Sequence, residues 1–203
     1  GGNLVVEAGT GVGKTFAYLV PALLSGERVL LSTGTKTLQD QLFGRDLPRL
    51  MQTLGVAGKI ALLKGRSNYL CTQRLAFARH SVNPSDRFQA RTLAQIEKWA
   101  QSTATGDLAE IKGLDERSAV IPLATSTRDN CVGTECPNYK SCFVNLARKE
   151  ALSADVVVIN HHLFFADLNV RESGVAELLP SSRIVVFDEA HKLNEIGVEF
   201  SGH

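Results

Sequence analysis

A glycine-rich loop closed by Lys-Thr, and a distant apolar run that ends in two acids, constrain the fold of this chain more than any other feature. Leu4-Val5-Val6 followed by Glu7-Ala8-Gly9-Thr10-Gly11-Val12-Gly13-Lys14-Thr15 reads as strand, loop and helix. Three glycines within five residues let backbone N–H groups turn inward around phosphate oxygens. The helix expected over Lys14 to Leu24 directs the positive end of its dipole at the same place. Residues Ala8, Gly9, Thr10, Gly11, Val12, Gly13, Lys14 and Thr15 are therefore the expected nucleotide cradle. Lys14 is placed to reach the β- and γ-phosphates, and the Thr15 hydroxyl to ligate Mg²⁺. The strict pattern has glycine where this sequence has Ala8. Ile184-Val185-Val186-Phe187 is a continuous apolar run of the kind that forms a fully buried parallel strand. Asp188 at its tip is expected to hold Mg²⁺ through water, and Glu189 to orient or deprotonate the attacking water. His191 is read as a contact to neighbouring segments and not as a metal ligand.

Further strand-like runs cover Arg28 to Ser32, Ile60 to Leu63 and Asp155 to Ile159, and their alternation with helices predicts a parallel, helix-covered sheet. After the first of these, Ser32-Thr33-Gly34-Thr35 could offer hydroxyls and N–H groups to a single-strand phosphate. The same residues suit simple capping of the next helix by Thr35, and the local sequence does not separate the two. Residues 85–101 read as an amphipathic helix with Phe88, Leu93, Ile96 and Trp99 on the buried face. Trp99 could stack a base, but core packing is the favoured role. Asn160-His161-His162 is read as a structural or coupling loop, because adjacent positions do not face one site.

Four cysteines, Cys71, Cys131, Cys136 and Cys142, separated by 59, 4 and 5 residues, lie between the two nucleotide motifs. A nucleotide site needs no cysteine, so they require their own explanation. Residues 1–6 lack the basic leader of a secretory signal and enter directly into the expected strand, as an excised fragment would. A reducing cytoplasm is then the default compartment, which disfavours disulfides. No apolar run approaches the roughly 20 residues of a membrane span. Structural zinc suits four thiolates in number, but usually takes close Cys-x2-Cys pairs that are missing here. A cubane iron–sulfur cluster accepts wider loops, and the spacing together with its context favours it.

The order of these motifs, with Lys64-Gly65-Arg66-Ser67-Asn68-Tyr69-Leu70 before Cys71 and Ala154-Asp155-Val156 through Leu163 before the DEAH box, resembles the XPD/DinG group of superfamily 2 helicases over essentially the whole chain. The resemblance implies an α/β fold: a RecA-like P-loop NTPase domain with a parallel sheet, formed by residues 1–63 and 150–203 and interrupted by an iron–sulfur insertion at 64–149. It implies a 4Fe–4S cluster on the four cysteines, ATP and Mg²⁺, and 5′-to-3′ movement on single-stranded and forked DNA in repair or replication. It also implies a partner in the polymerase III clamp-loader χ subunit, reached through other parts of the parent protein. Members of the group carry a second motor domain that supplies arginines for hydrolysis, so these residues alone are expected to be inactive. Two other readings stay open: a single-domain P-loop ATPase with a structural metal site, and a module that binds nucleotide and single-stranded DNA without turnover.

Charge locates the expected DNA contact. Residues 64–149 hold 13 Lys/Arg against 8 Asp/Glu, a net of +5, whereas the remainder nets −4. A polyanion is therefore expected to meet the insertion. Lys64, Arg66, Arg128 and Lys140 are the candidate phosphate contacts, with Arg148 and Lys149 as weaker ones. Tyr69 and Tyr139 are candidates either for base stacking or for packing around the cluster.

Overall fold

In the computed structural model, which describes residues 2–9, 13–83, 85–172 and 179–201, four strands run parallel in one sheet. They are β1 (Val29–Thr33), β2 (Ile60–Leu62), β3 (Val156–Asn160) and β4 (Ile184–Phe187), in the spatial order β2-β3-β1-β4. Leu31 stands in register with Val158 on one side and Val186 on the other. β1 is buried along its whole length and β3 up to Asn160, which is what near-continuous runs of valine, leucine and isoleucine require.

Two expectations are corrected at the sheet's margin. β4 is not fully buried: Val185 is 41% exposed, because among the described residues the strand has a partner only on its β1 side. Leu4, Val5 and Val6 do not form a strand. They are exposed by 87%, 92% and 72%, and no ladder among the described residues includes them. A strand is made by the hydrogen bonds of its neighbour, and an apolar triplet does not supply those. Thr10, Gly11 and Val12 of the expected cradle lie outside the described residues.

Nine helices accompany the sheet among the described residues: α1 (Lys14–Leu24), α2 (Lys36–Gln41), α3 (Leu47–Leu54), α4 (Thr72–Ser81), α5 (Arg87–Ala100), α6 (Ile121–Ala124), α7 (Phe143–Ser153), α8 (His161–Glu172) and α9 (Leu193–Ser201). None is long and apolar enough to cross a membrane. The chain separates into two compact units, residues 1–62 with 151–203, and residues 63–150. In the first, alternate residues Val29, Leu31, Val156 and Val158 share one face of the sheet and pack with Leu19 and Leu23 of α1 and Leu47, Leu50 and Met51 of α3. Fully burying each such side chain contributes about 1.5–3 kcal/mol.

The second unit has its own core, built from Leu70, Ala78, Val82, Leu93, Ile96, Ile111, Val120 and Ala124. α5 starts at Asp86, whose carboxylate accepts from the N–H groups of Phe88 and Gln89 at 3.0 Å each. Leu93 and Ile96 are buried as expected, and Trp99 packs partly against the same core while its Nε1 donates to Glu110. Phe88 is the exception, at 62% exposed. It sits in the first turn of α5, one residue after Arg87. Gly106 adopts φ 68°, and a Cβ there would collide with the Phe143 ring. Its carbonyl accepts from Leu70 N–H at 2.8 Å, so this one glycine joins the chain before Cys71 to the residue after Cys142.

Candidate nucleotide site and cysteine cavity

α1 begins where expected, with Gly13 as its N-cap and Lys14 and Thr15 half-buried in the first turn. One turn beyond Lys14, the Tyr18 hydroxyl donates to Asp188 Oδ2 at 2.7 Å, and Thr15 bonds to the same phenol. Burial first, and the Asp188 bond second, raise the Tyr18 pKa, so the phenol keeps its proton and stays a donor. Asp188 N–H donates to the Ser32 carbonyl at 2.9 Å, and Glu189 N–H to Asp188 Oδ1 at 2.9 Å. The helix that opens with Lys14 and the strand that ends in the two acids are thus tied side chain to side chain. His191 is mostly exposed, with Nε2 3.2 Å from Glu189 Oε2.

One member of this site, Tyr18, escaped the sequence reading, and His161 entered it only as part of a structural or coupling loop. The only signal for Tyr18 was a phenol one turn after Lys14. Asn160 ends β3 and His161 begins α8, so the expected loop is a strand–helix junction. Asn160 Oδ1 accepts from Leu163 N–H at 2.8 Å, which satisfies one N–H of the first turn and lets the helix start without a loop. The Thr35 hydroxyl likewise accepts from Leu38 N–H at 3.2 Å, the capping role that its sequence allowed.

Cys71, Cys131, Cys136 and Cys142 are free, half-buried, and line one cavity of about 210 Å³ together with Arg66, Tyr139 and Arg148. Short turns bring them there. Cys136 and Cys142 each close a 3-10 turn, with N–H groups bonded to the Gly133 and Tyr139 carbonyls. Cys71 N–H is held by the Ala124 carbonyl at 2.8 Å. Arg66 Nη1 donates to Cys131 Sγ at 2.9 Å. Burial, then the charge of Arg66, lowers the Arg148 pKa, while Cys142 and Cys131 pull it back up. No group of three or more His, Cys, Asp or Glu among the described residues is arranged to hold a single metal ion. The cavity has room for a polyatomic group.

Comparison with known proteins gives the family of the chain. The family profile of the DEAD/DEAH box helicases matches residues 1–101. The chain is 54% identical over 200 residues to the ATP-dependent DNA helicase YoaA of Haemophilus influenzae, covering 98% of this chain and 31% of that protein. It is 41% identical to the ATP-dependent helicase DinG of Mycobacterium tuberculosis, covering 95% of this chain and 32% of that protein. The chain belongs to the DEAD/DEAH box helicases. Within that family it is DinG-like, and it spans about a third of the length of the curated relatives it matches. A 3′-5′ exonuclease DinG of Bacillus subtilis is also 30% identical, over 98% of this chain and 21% of that protein.

The candidate DNA contacts of this DinG-like helicase domain divide by exposure. Lys64 is corrected: it is 5% exposed and its Nζ lies 2.6 Å from Asp107 Oδ2, so it has no face for phosphate. Arg66 is half-buried and directed at Cys131. Tyr69 is buried, its hydroxyl accepting from Lys64 N–H at 3.1 Å, and burial pushes its pKa up to about 12. Arg128, Lys140, Lys149 and Tyr139 are exposed, and Arg148 lies in the cysteine cavity.

Proposed function

We propose that this chain is the first motor domain of an ATP-dependent, 5′-to-3′ DNA helicase of the DinG type, with residues 1–63 and 150–203 as the motor and residues 64–149 as an iron–sulfur insertion. The bond from Tyr18 to Asp188 carries this reading, because it joins the Lys14–Thr15 helix to the acid pair. The N–H groups of residues 8–15 and the Lys14 ammonium bind and orient the phosphates. Thr15 and Asp188 are the residues that would hold Mg²⁺, which supplies neutralisation of phosphate charge when bound. Tyr18 fixes the Asp188 carboxylate, leaving Glu189 to orient the attacking water and take its proton.

Cys71, Cys131, Cys136 and Cys142 would hold a 4Fe–4S cluster. Four sulfurs around one cavity, with wide spacing along the chain, support that choice. A bound cluster would cross-link three loops, and its binding energy would be folding energy for the insertion. Arg128 and Lys140 are the proposed phosphate contacts for single-stranded and forked DNA. Work in repair or replication, a cytoplasmic location and the clamp-loader χ subunit as a partner rest on the family resemblance alone.

The test uses the full-length parent purified without oxygen. It should be brown, with iron and labile sulfide, and Cys136→Ser should bleach it. Lys14→Ala should abolish DNA-stimulated ATP hydrolysis and strand separation, whereas Glu189→Gln should retain nucleotide binding and slow turnover. A colourless protein with one zinc would overturn the cluster; wild-type hydrolysis in Lys14→Ala would overturn the motor. Because one relative is named an exonuclease, a forked duplex with both strands labelled separates unwinding from degradation.

A further inference from the structure

His161 is 0% exposed, yet the roles above leave it without a task. Its Nδ1 lies 2.7 Å from Ser32 Oγ, so β1 occupies one ring nitrogen. The other, Nε2, is buried and faces the backbone of Asp188 and Glu189 without a hydrogen bond of normal geometry. Burial lowers the ring's pKa, and the backbone of Asp188 and Glu189, which the ring faces, partly offsets that effect. A buried ring nitrogen without a partner is destabilising, so its place beside the acid pair needs a cause.

Glu189 provides an independent observation at the same spot. With φ 60° it is the one non-glycine residue among those described that adopts the left-handed region, a strain that persists only where the surroundings enforce it. Gly34 closes the space beside it. A Cβ on Gly34 would stand 3.0 Å from Glu189 Cβ, 2.8 Å from Lys192 Cδ and 3.6 Å from His161 Nε2. The His161 ring also meets Phe187, the residue before Asp188, at a centroid distance of 5.9 Å. When Nδ1 accepts from the Ser32 hydroxyl, Nε2 carries the proton and becomes a donor facing backbone carbonyls.

We propose that His161 is a positioning residue for Glu189: its Nε2–H closes onto the Asp188–Glu189 backbone when nucleotide is bound, and holds the Glu189 peptide in the left-handed conformation that aims the carboxylate at the attacking water. Ser32 sets the ring's orientation and tautomer from the opposite side. Ser32 lies in β1 two residues before Gly34, so the end of that strand and the acid share one imidazole. The inference rests on the reading of Asp188 and Glu189 as the acids of the ATP site.

The experiment measures steady-state ATP hydrolysis of the full-length parent with single-stranded DNA, alongside thermal unfolding. His161→Phe keeps the ring volume and removes the donor. It should lower kcat by at least about tenfold, as small misplacements of a reacting group do, with the KM for ATP and the unfolding temperature nearly unchanged. His161→Gln, which restores an N–H donor, should recover part of the loss. Wild-type kcat in the Phe variant, or equal losses in the Phe and Gln variants, would overturn the proposal by reducing His161 to packing. If the Phe variant does not fold, Gly34→Ala decides the matter by displacing Glu189 from outside: a kcat loss at constant KM supports the proposal, and wild-type kcat overturns it. Glu189→Gln run in parallel separates the two levels. Wild-type turnover there overturns the reading of the acids themselves, while a slow Glu189→Gln beside a normal His161→Phe overturns only the role of His161.

Discussion

Lys64 Nζ and Asp107 Oδ2 lie 2.6 Å apart, with side chains only 4% and 15% exposed. Two charges removed from water this far are held by each other, and removing one leaves the other stranded. Lys64→Met should therefore destabilise the unit of residues 63–150 by about 3 kcal/mol, the usual cost of orphaning one member of a buried pair. Lys140→Met, at an exposed position, should stay within about 0.5 kcal/mol of wild type. Trp99 is the only tryptophan and packs on this unit's core, so its fluorescence through a urea titration reads the difference directly. A Lys64 variant that unfolds like wild type but binds DNA more weakly would return the residue to the phosphate path. The pairing could not be read along the chain, because nothing local marks Asp107, 43 positions away, as the partner of Lys64.

Between elements, α4 and α5 are clasped by Arg79, whose Nε and Nη2 donate to the two Glu97 oxygens at 2.6 and 2.8 Å. That pairing lowers the Glu97 pKa below its ordinary 4.5. The folded form thus releases this proton more readily than the unfolded chain. Its stabilising contribution is complete above pH 4.5 and is lost as pH falls through the lower folded value. Melting followed by Trp99 from roughly pH 6 to pH 3 should show a shallower acid slope for Glu97→Gln than for wild type. Identical slopes would mean that the clasp is not held in solution. At this scale the sequence was legible where burial alone defines an element. β1 and β3 are covered on both faces, so short runs of valine, leucine and isoleucine mark them. It failed where a neighbour defines the element: Leu4–Val6 have the composition of a strand without a ladder, and Asn160 turns an expected loop into a helix start.

Across the molecule, the charge is divided as +5 on residues 64–149 and −4 on the rest. A 4Fe–4S cluster with four thiolates, net about −2, would leave these residues at about +3, still opposite in sign to the rest of the chain. With Lys64 buried and Arg66 directed at Cys131, the strongest exposed candidates for phosphate are Arg128 and Lys140. Arg128→Glu combined with Lys140→Glu should weaken single-strand binding most at low salt. The slope of log affinity against log salt should flatten by about 0.7 for each phosphate left without its cation. Titrations of the parent across a salt series check this; unchanged affinity and slope would place the DNA elsewhere. The strand order has a consequence of another kind, in time. Among the described residues β1 is bordered by β3 and β4, so this inner strand is made long before either neighbour exists. At roughly 5–20 residues per second, the ribosome needs about 6–25 s to pass from Thr33 to Val156. Throughout that interval this fully buried strand waits with both edges open, while the cysteine-bearing residues emerge and can fold first. Birth order places the insertion ahead of the sheet it interrupts, so a nascent chain slow to fold that insertion prolongs the period in which β1 is open to aggregation.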